Sequence, residues 1–296
     1  MINPRVAIII LNWNGKDYLK DCLPSVLNQD YGNFAAMLID NGSSDGSVEF
    51  VKNSYSEVEI IALDKNYEFA KANNIAIKKA LEEGAQFIAL LNNDTKVEKN
   101  WLSELVKVME SNPKIGICAS KMLKMDNSKI LDSTGHVFID GIIRDRGSGE
   151  LDKGQYDTKL GVVGGCAGAV LYRKEMLDEI GLFDEQFGFN YEDAELSWRA
   201  YKYGWKARYV PQAIVYHLRS GSVKDNSQLQ EELRYRGMLN LIRTIKRHAN
   251  IKQKIWVTLI WIKEASRQRI YLLFKGKEIR GGDYLERLKL LWLKKL

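Results

Sequence analysis

Five short apolar runs separated by stretches of helical periodicity set the tightest limit on what this chain can become. Val6 to Leu11, Ala35 to Asp40, Val58 to Leu63, Phe87 to Leu91 and Ile115 to Ala119 read as strands. Tyr18 to Asn28, Ser47 to Ser54, Phe69 to Glu83 and Trp101 to Ser111 read as helices between them. Runs that are apolar on both strand faces need cover on both sides, and intervening amphipathic helices supply it. The pattern predicts an α/β fold with a doubly wound, mostly parallel sheet. At 296 residues with 45% hydrophobic side chains, the chain can bury such a sheet and still carry an appendage.

In doubly wound sheets, ligands gather beyond the carboxyl ends of the strands. Three of the predicted strands end in polar residues: Asn12-Trp13-Asn14-Gly15, Asp40-Asn41-Gly42-Ser43-Ser44-Asp45-Gly46 and Asn92-Asn93-Asp94. Any one of these is an ordinary turn or helix cap. Their coincidence on one sheet edge points to a binding site instead. Asp94 follows a buried strand there, where a rigid element can aim one hard oxygen at Mg2+ or Mn2+ held mainly by phosphate oxygens.

Beyond residue 120 the pattern turns to antiparallel material. A hairpin is expected at Asp140-Gly141, followed by the glycine-rich Gly164-Gly165-Cys166-Ala167-Gly168, a strand Ala169 to Tyr172 and a helix Lys174 to Ile180. Glu192-Asp193-Ala194-Glu195 then places adjacent carboxylates at a helix start. The helix dipole favours anions there, and mutual repulsion would raise one pKa; plain capping is the competing reading. His217 follows a strand predicted at Ala213 to Tyr216, whereas His136 and His248 have no context that gives them a role. The glycine-rich stretch lacks Gly-x-Gly-x-x-Gly and the Lys-Ser/Thr of a P-loop, so its small residues are read as allowing close backbone approach to a ligand.

Taken in order, these segments resemble the family 2 glycosyltransferases of the GT-A fold, over residues 6 to about 220. Asp40 to Gly46 resembles the nucleotide-binding segment, and Asn66-Tyr67-Glu68-Phe69-Ala70-Lys71-Ala72-Asn73-Asn74 resembles the Asn-x-Gly-Phe-Ala-x-x-Asn-Asn segment beside the donor. Asn92-Asn93-Asp94 stands at the Asp-x-Asp metal motif, and Glu192 to Arg199 resembles the Glu-Asp-x-Asp/Glu motif that supplies the base. The resemblance implies an inverting transferase with a UDP- or dTDP-linked donor and a glycan or lipid-linked acceptor, acting in cell-surface polysaccharide or glycoconjugate synthesis. It implies Asp193 as catalytic base with Glu192 and Glu195 supporting, and Asp94 with His217 on the metal. Asn12, Asp40, Asn66, Phe69, Asn74, Asn93 and Gly165 would line the nucleotide sugar. Two departures stand out: Glu68 where the family has Gly, and Asn92 for the first Asp, as in rhamnosyltransferase-like relatives.

Two other function classes compete with this one. A sugar-phosphate nucleotidyltransferase would want a Gly-rich first loop with basic residues, where Asn12 to Lys16 offers one Gly and one Lys. A non-catalytic, membrane-recruited scaffold would not need acidic residues at all the expected places.

The charge is divided unevenly. Residues 224–296 hold 18 Lys and Arg against 7 Asp and Glu, within a chain of net charge +6. This segment reads as helices, giving an expected division into a 1–226 transferase domain and a 227–296 basic amphipathic region. Its apolar run Ile255 to Ile262 is far short of the ~20 residues needed to cross a bilayer. Leu285, Leu288 and Trp292 recur at helical spacing among Arg287, Lys289, Lys294 and Lys295. Basic, Trp-bearing helices suit an anionic membrane surface, although packing on the catalytic domain or a second subunit competes. No groove-reading motif accompanies the charge, so nucleic acid is not an expected partner. Three scattered cysteines read as reduced thiols, and no leader segment is evident, so the expected location is cytoplasmic or peripheral on the cytoplasmic face of a membrane.

Overall fold

The computed structural model describes residues 3–219, 227–275 and 284–292. In chain order the elements are β1 (Val6–Asn12), α1 (Lys16–Leu27), β2 (Phe34–Asp40), α2 (Ser47–Ser54), β3 (Glu59–Ala62), α3 (Glu68–Glu82), β4 (Phe87–Asn92), β5 (Thr95–Val97), α4 (Trp101–Glu110) and β6 (Ile115–Lys124). There follow β7 (Leu131–Ser133), β8 (His136–Ile139), β9 (Ile142–Asp145), β10 (Gly161–Val162), β11 (Ala169–Arg173), α5 (Lys174–Ile180), α6 (Glu192–Lys202) and β12 (Lys206–His217). Three helices complete the fold: α7 (Ser227–His248), α8 (Ile251–Lys275) and α9 (Tyr284–Trp292).

The main sheet runs β10-β12-β6-β11-β4-β1-β2-β3, with β5 added to β12 and β7 to β6. The β4-β1-β2-β3 half is parallel throughout. β11 enters antiparallel to both β4 and β6, so the sheet is mostly but not wholly parallel. The expected alternation is visible within β1 itself. Val6, Ile8 and Ile10 face a core with Leu19, Leu23, Trp101 and Leu105 of α1 and α4. Ala7 and Ile9 face the opposite core with Phe69, Ala72 and Ala76 of α3 and Met176 of α5. A strand covered on both sides must be apolar at every position, which is why these runs do not alternate.

The structure lengthens two expected strands. β6 continues to Lys124 and β12 begins at Lys206, because the two pair in parallel over most of their length across a register shift between Val210 and Ile214. β5, β7 and β10 have only two or three residues and no sequence signal of their own. The hairpin at Asp140-Gly141 forms as β8-β9, with both tip residues at positive φ.

A third apolar cluster joins the carboxyl-terminal helices to the rest. Ile142 and Ile143 of β9 and Ala194 and Trp198 of α6 pack with Met238, Leu241, Ile242 and Ile245 of α7, Val257 and Trp261 of α8, and Leu291 of α9. The expected boundary at 226/227 borders residues 220–226, and Lys294 and Lys295 of the basic tail likewise lie outside the described residues.

Candidate active site

The polar strand ends form a connected chain. Asn93 Nδ2, just beyond β4, donates to Asn12 Oδ1 of β1 at 2.7 Å. Asn12 Nδ2 donates in turn to Asp40 Oδ1 of β2 at 2.8 Å, and the other Asp40 oxygen accepts from the Ser43 N–H at 2.9 Å. Three adjacent parallel strands in register therefore deliver Asn93, Asn12 and Asp40 to one point. Gly15 is needed beside them: a Cβ there would sit 2.0 Å from Asn93 Nδ2.

The Asn66 to Asn74 segment, which leads into and opens α3, lies beside these strand ends. Asn66 Oδ1 accepts from Asn41 Nδ2 at 3.0 Å and from the Glu68 N–H at 2.8 Å. The Phe69 ring packs edge-on against Phe183 and Phe189, and the N–H groups of Phe69 and Ala70 converge on the Gly188 carbonyl. Asn74 lies one turn further in. Its amide donates to the Phe183 carbonyl and accepts from the Phe183 N–H, so it holds that loop rather than facing Asn12 and Asp40. Glu68 adopts φ +62°, the left-handed backbone that a Gly would take without strain. Its carboxylate turns to Arg236 of α7, a use for the departure that the sequence alone does not reveal.

A second cluster surrounds Asp94. Antiparallel pairing of β5 with β12 sets Thr95 opposite His217 and so brings Asp94 against it. Asp94 Oδ1 lies 3.3 Å from His217 Nε2, and Asn92 Nδ2 is 3.4 Å from the same nitrogen. His217 Nδ1 faces Asp132 Oδ2 at 2.8 Å. Arg219 Nη1 lies 2.9 Å from the other Asp132 oxygen, an ion pair outside good hydrogen-bond geometry. Burial alone would lower the His217 pKa, but the hydrogen bonds its protonated ring donates to Asp132 and Asp94 push it up to about 9. Asp132 is itself held below the usual carboxylate range: burial opposes its charge, and His217 and Arg219 outweigh that.

This donor set fits a divalent cation. One carboxylate oxygen and one imidazole nitrogen converge, and the second ring nitrogen is fixed by a buried carboxylate, the usual support for a ligating His. Among the described residues no group of three or more His, Cys, Asp or Glu is placed to hold an ion, so the protein offers two ligands and phosphate oxygens would have to supply the rest.

The glycine-rich loop links this cluster to the acidic helix. The Gly168 carbonyl accepts from the Asn92 N–H at 3.0 Å, and the Ala167 N–H donates to Asp193 Oδ2 at 3.0 Å. The small residues serve close approach to protein: a Cβ on Gly164 would meet Ser197 Oγ at 1.9 Å, and one on Gly165 would meet Val170 and Ala119 at 2.9–3.0 Å. Asp193 occupies the first turn of α6, where the dipole favours its charge. Beside it Glu192 is fully enclosed, with one oxygen unpartnered, and burial plus the Asp193 charge drive its pKa well above the ordinary value. Glu195 points elsewhere. It pairs with Arg199 at 2.7 Å and His248 Nε2 at 2.8 Å, contacts that hold it ionised against its burial.

Sequence reasoning missed His136, Asp132, Asp145, Arg219 and Asn240. His136 is buried with Nε2 3.5 Å from Asp145 and 3.8 Å from Asp193, and Nδ1 3.2 Å from Ser197 Oγ. It arrives there because the His136 N–H bonds the Gly164 carbonyl, a long-range pairing with no local signature.

Comparison with known proteins bears on family and fold. The family model described as Glycosyl transferase family 2 matches residues 7–181. The chain is 25% identical over 217 residues to poly-beta-1,6-N-acetyl-D-glucosamine synthase of Staphylococcus epidermidis, covering 72% of this chain and 50% of that protein. It is 26% identical over 241 residues to the O-antigen biosynthesis protein RfbC of Myxococcus xanthus, covering 74% and 18%. The chain thus spans half or less of the length of these relatives. Among solved structures, GalNAc-T7 with UDP, GalNAc and Mn2+ aligns with a TM-score of 0.67 at 16% identity, covering 98% of this chain and 54% of that one. TarS residues 1–349 of S. aureus with UDP aligns at 0.60 and 17% identity, covering 92% and 75%. The mannosyltransferase PcManGT of Pyrobaculum calidifontis, with GDP-Man and Mn2+, aligns at 0.61 and 13% identity, covering 98% and 85%. At these identities the structural likeness establishes the fold.

Proposed function

This chain belongs to glycosyl transferase family 2, and we propose that it moves a hexose-type sugar from a UDP- or dTDP-linked donor to a hydroxyl of a glycan or lipid-linked acceptor, with inversion at the anomeric carbon. The product would be a cell-surface polysaccharide or glycoconjugate. The observation that carries the reading is the five-residue loop 164–168, which bonds Asp193 through Ala167 and the Asn92 strand end through Gly168. Displacement at a sugar carbon needs a base for the acceptor and charge neutralisation at the leaving group, and adjacent residues of one short loop tie the candidate groups for both together.

In this reading Asn12, Asp40 and Asn93 receive the nucleotide, and Asn66 and Phe69 shape the wall beside it. Asp193 takes the proton of the acceptor hydroxyl as its oxygen bonds the anomeric carbon. The bond from that carbon to the diphosphate oxygen breaks, and its electron pair leaves with the nucleotide. His136, within 3.8 Å of Asp193 and beside Asp145, helps orient the carboxylate. Glu192, favoured in its neutral form, keeps a second negative charge away from the base. A Mg2+ or Mn2+ ion held by Asp94 and His217 would neutralise charge on the departing diphosphate.

Asp193→Asn tests the assignment. Transfer should fall by roughly 10²–10⁴-fold or more, while nucleotide-sugar affinity by calorimetry stays near wild type. Normal turnover by this variant would remove Asp193 from the role of base.

A further inference from the structure

α8 presents an unusual outer face. Ile251, Ile255, Trp256, Leu259 and Ile262 are 48–61% exposed, while Val257 and Trp261 turn inward to the third apolar cluster and Ala265 is buried. At about 3.6 residues per turn the five exposed residues share one side of the helix. Lys252 and Lys263, both exposed, lie on the same side between Leu259 and Trp256. Trp292 of α9 flanks the other edge, half-exposed and donating its indole N–H to Thr258 Oγ1 at 3.0 Å. The sequence of α8 has six Lys and Arg and a single acid, Glu264, which is half-buried.

We infer that this face is a docking surface for an anionic lipid bilayer, on which α8 lies flat with its apolar side chains in the acyl boundary and Lys252 and Lys263 at the phosphates. Among the described residues no helix is long and apolar enough to cross a membrane, so attachment of this kind is in-plane. Charge decides between a bilayer and a second copy of the chain. A twofold interface would set the patch against itself and gather Lys252 and Lys263 of both copies, all of one sign, within one apolar contact. Lipid headgroups offer opposite charge across an apolar layer, and Trp at both edges suits the headgroup level. The inner side of α8 shares the third apolar cluster with α9, α7 and α6, the helix that carries Asp193, so docking would hold the site close to the lipid surface. The inference rests on this exposed face and stands apart from the sugar-transfer reading.

The test is co-sedimentation of the full chain with vesicles of phosphatidylcholine, with and without phosphatidylglycerol. Binding is expected on the anionic vesicles and should weaken with added salt. Ile255→Ser with Leu259→Ser should lower partitioning about tenfold or more, with an unchanged melting curve because both side chains are already exposed. Lys252→Gln with Lys263→Gln should remove the preference for anionic lipid. Failure to bind anionic vesicles overturns the proposal, as does binding insensitive to the Ile255 and Leu259 substitutions. Concentration-dependent dimers in sedimentation velocity that the same pair of substitutions abolishes would also overturn it, in favour of self-association. A soluble-acceptor assay on the same samples reads the transfer proposal separately.

Discussion

His217 has a carboxylate on each ring nitrogen, Asp132 at 2.8 Å and Asp94 at 3.3 Å, and that sandwich fixes how it responds to pH. With its pKa pushed up to about 9, the ring is largely imidazolium at neutral pH in the metal-free protein. The pair of contacts therefore stabilises the fold fully below the unfolded value of ~6.5 and is lost as pH rises through about 9. A cation on Nε2 must displace that proton. Mn2+ affinity should accordingly rise by about tenfold per pH unit between neutrality and pH 9, with close to one proton released per ion. Calorimetry in buffers of different ionisation enthalpy checks this, and His217→Gln should flatten the profile. A pH-independent Mn2+ affinity would mean that the ion does not use this ring. Asp132, which the sequence hid, matters because it decides which ring nitrogen faces Asp94.

At the scale of elements, α7 grips the loop that aims the base. Gly188, Asn190 and Tyr191 all have φ between 62° and 71°, a conformation that costs non-Gly residues roughly 1–2 kcal/mol each. The buried Asn240 amide shares its two hydrogens among the carbonyls of Phe187 at 2.7 Å, Phe189 at 3.2 Å and Asn190 at 2.9 Å. From the other side the α3 amino terminus donates two otherwise orphaned N–H groups to the Gly188 carbonyl. Asn240→Leu keeps much of the volume and strips the donors, so it should cost about 1–3 kcal/mol in urea unfolding. Because Glu192 and Asp193 follow this loop directly, kcat should fall while nucleotide-sugar affinity is unchanged. A variant with normal kcat would show that the grip is dispensable for catalysis.

For the whole molecule, the third apolar cluster makes the carboxyl-terminal helices part of the transferase as well as an extension of it. The sequence-based division at 226/227 predicts that residues 1–226 stand alone. Removing the helices, however, uncovers Ile142, Ile143 and Trp198 and takes away Asn240 and one ion-pair partner each of Glu68, Asp184 and Glu195. Exposing three large apolar side chains alone corresponds to roughly 5 kcal/mol, a large part of the ~5–15 kcal/mol that holds most domains folded. A 1–226 fragment should thus melt well below the full chain or aggregate. A fragment with the full chain's melting temperature would support the two-unit division.

The sequence by itself determined the sheet, its two helical layers and the strand-end residues Asn12, Asp40, Asn93 and Asp94. Those features are local: apolar runs, helical periodicity and polar strand ends are written in consecutive residues, and parallel register carries adjacent strand ends to one edge. Asp193 stood out locally as part of an acidic pair at a helix start, and its expected role as base came from the family resemblance. Only the tertiary structure decided that His136 stands beside that acid, that Asp132 orients His217, that Asn74 holds a neighbouring loop and that Glu68 reaches α7. Each of these depends on pairing between segments far apart in the chain, set by short strands such as β5 and β7 and by packing of α7. Such contacts are fixed by the geometry of the finished fold and leave no period or spacing for a sequence to display.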